Sequence, residues 1–272
     1  MAENPLGEAV SYPTKYSPDI LYPIARWAVR SLLDIDKKVL MYGIDHWQAY
    51  ELSWLDNTGK PQVGIAEFYF NSDSENIVES KSLKLYLNSF NHEQFENIEK
   101  LKSAIEKDLS KTSNSEVKVL IHALDEVEDS FGQSRPGRTI DHCSIDAYSQ
   151  SADANLLKLE EFETEDEQLY SDLFRSNCPV TGQPDWASFE IRYAGKKINE
   201  SSLLTYLVSF RNHQGYHEEC AERIFRDIML QCEPSELRIA MNFLRRGGLD
   251  INVYRSTVPV TSDSVNTRMV RQ

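Results

Sequence analysis

Residues 174–186 read Phe-Arg-Ser-Asn-Cys-Pro-Val-Thr-Gly-Gln-Pro-Asp-Trp and place Cys178 and Asp185 at the two ends of one turn. The two prolines restrict φ and Gly182 lets the chain reverse, so the segment is predicted to form a rigid loop. Rigid loops commonly carry reactive side chains. Cysteine chemistry is the leading hypothesis, and the alternative is a proline-rich turn whose cysteine is a small buried hydrophobic residue.

The same turn occurs earlier in the chain, which indicates an internal repeat. Thr-Gly-Gln-Pro at residues 181–184 matches Thr-Gly-Lys-Pro at residues 58–61, with an offset of 123 residues. In this alignment Leu55 stands at the position of Cys178.

The repeat continues downstream with an offset of 120 residues. Residues 82–90 and 202–210 are identical at six of nine positions, and residues 115–119 resemble residues 235–239. The chain therefore reads as two copies of one fold unit. We place the copies at residues 1–150 and 151–272.

Polar chemistry differs between the two copies. Cys178, Asp185, His217 and the Arg-Arg-Gly-Gly run at 245–248 occur only in the second copy, whereas the first has Glu-Ser-Lys-Ser-Leu-Lys at 79–84. A composite site that draws on both copies would explain this difference, and drift after duplication would explain it as well.

Composition excludes several classes of protein. The 272-residue chain has a net charge of −14, and such a surface repels phosphate backbones, so direct nucleic-acid binding is disfavoured. None of the four cysteines forms a Cys-x-x-Cys pair, which argues against a zinc ribbon and a disulfide framework and favours the cytoplasm. We expect neither membrane insertion nor export, because no long apolar run or signal peptide is present.

Patterning predicts an α+β fold. Strands are predicted at Tyr42–Leu55, Val63–Phe70, Ser80–Phe90, Glu116–Leu124, Thr139–Tyr148, Trp186–Ala194, Glu200–Phe210, Ser235–Leu244 and Asp250–Val258, the last two as a hairpin. Helices are predicted at Ile20–Ile35, Asn91–Leu109 and Tyr216–Gln231, an extended arm at 1–17 and a linker at 149–174. Each copy would form a four-stranded antiparallel sheet with helices on one face, and the bare face is expected to pair with other sheets in a closed assembly.

Four side chains of the second copy are candidates for chemistry. Cys178 could form a nucleophilic thiolate, and Asp185 could be its proton partner, although an Asp also commonly ends a turn before a strand. His217 and Glu218 would lie in the first turn of a helix, where exposed amides favour ligand contacts.

Three further patterns of polar residues could also carry function. His213, His217 and Cys220 are spaced as on one helix face, a plausible zinc geometry without an evident fourth ligand. Lys81 and Lys84 would lie on opposite faces of a strand. The run at 245–248 is predicted to be a hairpin turn whose two arginines could anchor a phosphate.

Two motifs together resemble a known enzyme family. Residues 79–86 read Glu-Ser-Lys-Ser-Leu-Lys-Leu-Tyr and residues 176–185 read Ser-Asn-Cys-Pro-Val-Thr-Gly-Gln-Pro-Asp. They resemble the signature strand and catalytic loop of the NADPH-dependent 7-cyano-7-deazaguanine reductases, the QueF nitrile reductases of queuosine biosynthesis, in their long two-copy form. The resemblance implies tandem tunnelling-fold (T-fold) units whose sheets assemble into a barrel with sites between units, and a homodimer.

The resemblance also implies roles for individual residues. Cys178 would attack the nitrile carbon to give a covalent thioimide, Asp185 would supply a proton, and two hydride transfers from NADPH would follow without a metal. The deazaguanine would contact Val78, Glu79, Ser80, His217 and Glu218, and the cofactor would contact Ser80, Lys81, Arg246 and Gly247. Tyr216 stands where the family has phenylalanine, so it would keep the aromatic packing and add a hydroxyl.

Two alternatives remain open at this point. One is a zinc-dependent, cyclohydrolase-like T-fold enzyme that uses Cys178, His213 or His217 as ligands. The other is a non-enzymatic scaffold that binds a purine or pterin.

Overall fold

The computed structural model describes residues 12–31, 33, 39–124, 135–145, 151–265 and 272. The chain divides into two compact units. The first comprises Met1–Leu32, Asp45–Ser130 and Arg245–Ile251, and the second comprises Leu33–Ile44, Phe131–Leu244 and Asn252–Gln272.

The first half of the chain contributes five strands and three helices. They are β1 (Pro23–Ala25), α1 (Arg26–Arg30), β2 (Tyr42–Leu55), β3 (Pro61–Asn71), β4 (Asn76–Val78), α2 (Ser80–Asn88), α3 (Ile98–Ser113) and β5 (Val117–His122). The sheet of the first unit has the order β5-β3-β2, and β3 and β5 are antiparallel. Alternate residues of β3 are buried, including Phe68 and Phe70, and α3 packs against β5 through Leu101, Ile105 and Leu109. Each such side chain contributes about 1.5–3 kcal/mol through burial.

The second half contributes five strands and two helices. They are β6 (Arg138–Thr139), β7 (Leu159–Asn177), β8 (Pro184–Ile198), α4 (Glu200–Val208), α5 (His217–Cys232), β9 (Glu236–Phe243) and β10 (Leu249–Ser256). The sheet of the second unit has the order β10-β9-β8-β7-β6, in which only the β6–β7 pair is parallel. Ile224, Phe225 and Ile228 of α5 are buried, and this helix packs against β9.

The repeat seen in the sequence reappears as repeated contacts. The Tyr86 hydroxyl donates a hydrogen bond to Asp108 at 2.7 Å, and the Tyr206 hydroxyl, 120 residues later, donates to Asp227 at 2.7 Å. Each bond joins the shorter helix of a unit to the longer one. The two units therefore share the same internal support for their helix pairs.

The mixed α+β class is confirmed, and several predicted elements agree closely with the structure. The strand at Tyr42–Leu55 is found with the predicted bounds, and the strands at Val63–Phe70 and Trp186–Ala194 lie inside β3 and β8. The strand predicted at Glu116–Leu124 and the helix predicted at Tyr216–Gln231 correspond to β5 and α5. The closing hairpin is also confirmed, because β9 and β10 pair antiparallel.

Two segments predicted as strands, Ser80–Phe90 and Glu200–Phe210, are instead the helices α2 and α4. Both helices begin at a side-chain cap, Glu79 in one and Asn199 in the other. These caps satisfy amides that would otherwise have no partner, and the apolar residues also fit a helical spacing.

Of the helix predicted at Ile20–Ile35, the described residues are α-helical at Arg26–Arg30, and the prediction is wrong for the residues before Arg26. The structure has a single 3-10 turn at Pro18–Ile20, then β1 and the five-residue α1. Pro23 lies inside the predicted helix, lacks an amide hydrogen and restricts the residue before it, so a helix cannot run through it.

The linker predicted at 149–174 is wrong, because β7 extends through most of it. Its acidic side chains have basic partners on neighbouring strands: Arg192 Nε lies 2.7 Å from Asp166 Oδ1, and Arg138 Nη2 lies 2.9 Å from Glu167 Oε1. Charge in this run therefore supports strand pairing instead of preventing it.

Three smaller predictions also differ. The helix predicted from Asn91 starts at Ile98, where Asn97 is the cap. The strand predicted at Thr139–Tyr148 ends at Thr139 among described residues, and its last three positions lie outside them. Of the predicted arm, residues 12–17 are described and contain neither helix nor strand. No helix in the described part of the chain is long and apolar enough to span a membrane.

Candidate active site

Cys178 lies in the tight turn that joins β7 to β8. Its amide donates to the Gln183 carbonyl at 2.9 Å, and the Gly182 amide donates to the Cys178 carbonyl at 3.0 Å. Gly182 has a φ of 68°, and a Cβ there would meet no described atom within 4 Å, so backbone conformation alone favours glycine. Cys178 and Asp185 are 5% and 7% exposed. The predicted turn is present, and it holds both side chains inside the protein.

The equivalent turn of the first copy identifies the residue that corresponds to Cys178. There the Asp56 amide donates to the Lys60 carbonyl at 3.0 Å, so Asp56 occupies the position of Cys178. The alignment of Leu55 with Cys178 is therefore wrong. The turn of the second copy has one extra residue, since five positions separate Cys178 from Gln183 and four separate Asp56 from Lys60.

His217, the first residue of α5, is close to Asp185. The His217 Nε2 atom lies 3.8 Å from Asp185 Oδ1. Its ring also packs edge-on against Phe243 of β9, with 4.2 Å between ring centroids. Glu218, the next residue, is 2% exposed. The fold thus brings together two residues, Asp185 and His217, that the sequence separates by 32 positions.

Two backbone hydrogen bonds explain why the start of α5 is near the cysteine turn. The Asn177 amide donates to the His213 carbonyl at 2.8 Å, and the Gly215 amide donates to the Asn177 carbonyl at 3.1 Å. Asn177 directly precedes Cys178. The segment before α5 is therefore attached to the end of β7, and this attachment positions His217.

Glu79 caps α2 in the first unit. Its Oε1 accepts a hydrogen bond from the Lys81 amide at 2.8 Å and its Oε2 accepts one from the Ser82 amide at 2.7 Å. Val78 and Glu79 are each 2% exposed, and Ser80 is the first residue of the helix. Burial raises the pKa of the Glu79 carboxyl, an effect that the two amide hydrogen bonds oppose.

The basic residues of the first unit are arranged differently from the prediction. Lys81 and Lys84 are three residues apart on α2 and lie on the same side of it, so their predicted placement on opposite faces of a strand is wrong. A Cβ at Gly247 would lie 3.3 Å from Lys84 Nζ, so this lysine reaches the turn that contains Arg246 and Gly247. Lys84 Nζ also lies 3.6 Å from Glu51 Oε2.

The predicted zinc geometry is wrong. His213, His217 and Cys220 do not share one helix face, because α5 begins at His217 and His213 lies in the preceding turn. Instead His213, Glu219 and Cys220 have donor atoms within 4.8 Å of one another. A second such group is His142, Cys143 and Glu200. Within the described residues, neither group includes Cys178 or His217.

Sequence reasoning missed three residues of these sites. Phe243 reaches His217 through the packing of α5 against β9, which no local pattern shows. Glu219 meets His213 because the chain turns at Gly215. Lys84 was recognisable, since its spacing from Lys81 fits a helix as well as a strand.

Two family models match the chain. The model described as "Nitrile reductase, 7-cyano-7-deazaguanine-reductase N-term" matches residues 12–121. The model described as "QueF-like protein" matches residues 184–260. Together they cover most of the chain and both of its units.

Curated relatives align over nearly the full length. A protein of Saccharophagus degradans is 48% identical over 94% of this chain and 95% of its own. Proteins of Desulfotalea psychrophila and Paraburkholderia phymatum are 47% and 43% identical, each over at least 97% of both chains. All three are named NADPH-dependent 7-cyano-7-deazaguanine reductase. A solved structure of the archaeosine synthase QueF-Like aligns with a TM-score of 0.33 and 16% identity over 36% of this chain, too weakly to carry an argument.

Proposed function

Because the chain belongs to the family of NADPH-dependent 7-cyano-7-deazaguanine reductases, we propose that it reduces the nitrile of 7-cyano-7-deazaguanine to an aminomethyl group. The full-length similarity to relatives of that name is the observation that carries the proposal. The reaction consumes one nitrile, two NADPH and two protons, and yields one amine and two NADP⁺. In the cell this step belongs to queuosine biosynthesis.

Cys178 and Asp185 are assigned to the covalent step. The Cys178 thiolate adds to the nitrile carbon, one π bond of the C≡N group becomes a lone pair on nitrogen, and the Asp185 carboxylic acid donates its proton to that nitrogen and becomes a carboxylate. The product is a thioimide bound to the enzyme. Support comes from the turn that holds both side chains buried at its two ends, where water competes poorly for the reacting atoms.

His217 is assigned to the positioning of Asp185 and to the substrate. Its Nε2 lies 3.8 Å from the Asp185 carboxylate, and its ring is fixed by Phe243, so it can orient the proton donor. The neighbouring Glu218 is buried and acidic, and a carboxylate accepts hydrogen bonds from the N–H groups of a guanine-like ring. We assign both residues to substrate binding, with Tyr216 beside them in the chain.

Val78, Glu79 and Ser80 are also assigned to the deazaguanine. The Glu79 carboxylate is fixed by two amide hydrogen bonds, so it offers its remaining lone pairs in a preset orientation. A preset acceptor discriminates between purine-like rings by their N–H pattern.

Ser80, Lys81, Arg246 and Gly247 are assigned to NADPH, which supplies the two hydrides when it is bound. The residues fit such a group, because α2 presents cationic side chains beside a turn whose Gly247 has no Cβ and a φ of 64°. Positively charged side chains and accessible backbone amides bind phosphate groups. No metal is assigned to the reaction.

The remaining assignments follow from the family. We propose T-fold units at residues 1–150, with the Glu-Ser-Lys-Ser motif, and at residues 151–272, with the cysteine turn. The sheets would assemble into a barrel in a homodimer, in the cytoplasm and without direct nucleic-acid binding. A fully active monomer at micromolar concentration would refute the dimer.

The reaction is tested by its stoichiometry. The purified protein, treated with a metal chelator, should oxidise two NADPH for each molecule of 7-cyano-7-deazaguanine converted to the amine. Loss of activity that only zinc restores would instead favour a zinc-dependent hydrolase. Tight binding of the nitrile without NADPH oxidation would favour a binding scaffold.

A further inference from the structure

A cluster of three potential metal ligands lies outside the proposed catalytic residues. The His213 Nε2 atom is 2.9 Å from Glu219 Oε2 and 3.2 Å from Glu219 Oε1. The Cys220 sulfur is 3.8 Å from Glu219 Oε2. Glu219 and Cys220 are buried, whereas the His213 side chain is 18% exposed. The cluster thus has a buried interior and one side open to solvent.

The spacing and charge of these groups suit a divalent cation of the zinc class. In a tetrahedral zinc site, nitrogen, oxygen and sulfur donors are separated by about 3.3–3.6 Å, which small side-chain movements here would reach. A carboxylate and a thiolate together balance a charge of two, so a filled site would be neutral. Imidazole and thiolate ligands also select zinc-like ions over magnesium and calcium.

The surroundings of the cluster give independent support. A Cβ on Gly215 would lie 1.8 Å from Glu219 Oε2 and 2.8 Å from His213 Nε2, so glycine is needed for these two side chains to meet. The Ser176 hydroxyl oxygen is buried. Among the described residues, it has no hydrogen-bond partner within the usual limits of distance and angle. Ser176 lies close enough to the Cys220 sulfur to lower the pKa of that thiol, against a larger upward effect of burial.

The other cluster, His142, Cys143 and Glu200, is a weaker candidate. Its Glu200 carboxylate is already paired with Arg138 at 2.7 Å and Lys197 at 3.6 Å. A cation there would have to compete with two positive side chains. Among the described residues, the ion-pair partner of Glu219 is His213 and not a lysine or an arginine.

We propose that His213, Glu219 and Cys220 form a non-catalytic site for a zinc-class divalent cation, with solvent as the fourth ligand. Binding forms bonds from the cation to Nε2, a carboxylate oxygen and Sγ, and releases the Cys220 thiol proton to solvent. His213 provides the entrance, since it is the exposed member of the group.

Occupation of this site would reach the reacting groups of the proposed function, on which this part of the inference rests. Cys220 lies three residues after His217 on the same side of α5, and His217 Nε2 is 3.8 Å from Asp185 Oδ1, so the cluster lies near Asp185. A divalent charge at Cys220 would favour the ionised form of Asp185 and weaken it as a proton donor. His213 is also bonded through its backbone to Asn177, the residue before Cys178. The cation should therefore slow thioimide formation.

Cobalt(II) is the probe for the site, because thiolate coordination gives a charge-transfer band in the near ultraviolet. The reduced, chelator-treated enzyme is titrated with Co²⁺ as wild type and as Cys220→Ser, Glu219→Gln, Cys178→Ala and Cys232→Ser. Cys232→Ser is the matched control, since it removes the other buried cysteine of α5. Wild type, Cys178→Ala and Cys232→Ser should bind one Co²⁺ with the band. Cys220→Ser should lack the band, and Glu219→Gln should bind at least about 10-fold more weakly.

The site is refuted if wild type shows no saturable band, or if the band disappears in Cys178→Ala and persists in Cys220→Ser. Circular dichroism of Glu219→Gln and Cys220→Ser establishes that both are folded. Coupling is measured separately, by the rate of adduct formation with 7-cyano-7-deazaguanine with and without stoichiometric Zn²⁺. Zinc should slow wild type and Cys232→Ser and leave Cys220→Ser unchanged. Equal slowing of all three refutes the coupling, and absence of an adduct in metal-free wild type would count against the proposed function instead.

Discussion

Comparison of Glu79→Ala with a matched control separates the two roles of Glu79, which are the capping of α2 and the binding of substrate. The change removes the two hydrogen bonds that the carboxylate accepts from the Lys81 and Ser82 amides. Loss of a helix cap costs about 1 kcal/mol of unfolding free energy, or about 2–4 °C in Tm for a chain of this size. The substitution also removes the unfavourable burial of this carboxylate, so the net loss of unfolding free energy should not exceed about 1 kcal/mol.

Asn199 provides the matched control, because it caps α4 in the second copy by accepting a hydrogen bond from the Ser202 amide at 2.9 Å. Asn199→Ala should cost a similar amount of stability and leave the affinity for 7-cyano-7-deazaguanine unchanged. Glu79→Ala should also lose a charge-assisted hydrogen bond to the ligand, worth about 1.5–3 kcal/mol, or about 10- to 150-fold in Kd. Urea unfolding and calorimetric titration measure the two effects. Equal Kd values for the two variants would refute the assignment of Glu79 to the substrate.

Three further predictions concern proton transfer, backbone conformation and pH. Asp185→Asn should slow thioimide formation while the affinity for the nitrile stays within a few-fold, as stopped-flow absorbance can measure; an unchanged rate would remove Asp185 from the mechanism. Gly182→Ala should cost about 1–2 kcal/mol for its positive φ alone, whereas Gly137→Ala, also at positive φ, should cost more, because its Cβ would lie 2.4 Å from the backbone carbonyl oxygen of Gln168; equal losses in urea unfolding would contradict this. Burial raises the folded-state pKa of Glu79, so its contribution to stability is present below the unfolded pKa and is lost as pH rises through the folded value. As the pH rises from the unfolded-state to the folded-state pKa of Glu79, the free energy of unfolding of wild type should therefore fall relative to that of Glu79→Gln. A difference between the two free energies that does not change with pH would exclude the effect.

Strands were predictable from the sequence where the spacing of apolar residues fits a strand and does not also fit a helix. The strand at Tyr42–Leu55 alternates buried and partly buried residues over most of its length, and a turn motif ends it. Residues 80–90 were not predictable by the same rule, since their apolar positions fit a strand and a helix about equally. The Glu79 cap favours the helix, and a carboxylate directly before Ser80 is a helix-start signal that the sequence does contain.

The candidate site was predictable only where its residues are close in sequence. Cys178 and Asp185 are seven positions apart, and their turn is encoded by proline and glycine. The contact between His217 and Phe243 depends on the packing of α5 on β9, to which no local pattern points. The same holds for His213 and Glu219, which meet because backbone bonds from Asn177 set the path of the chain before α5.

The central claim is that the Cys178 sulfur forms a covalent bond to the nitrile carbon. Intact-protein mass spectrometry tests it most directly, with 7-cyano-7-deazaguanine added to the enzyme without NADPH. Wild type should gain the mass of one nitrile molecule per chain, and Cys178→Ala should gain none while it still binds the ligand in calorimetry. An adduct that forms equally on Cys178→Ala, or no adduct on folded, ligand-binding wild type, would contradict the account.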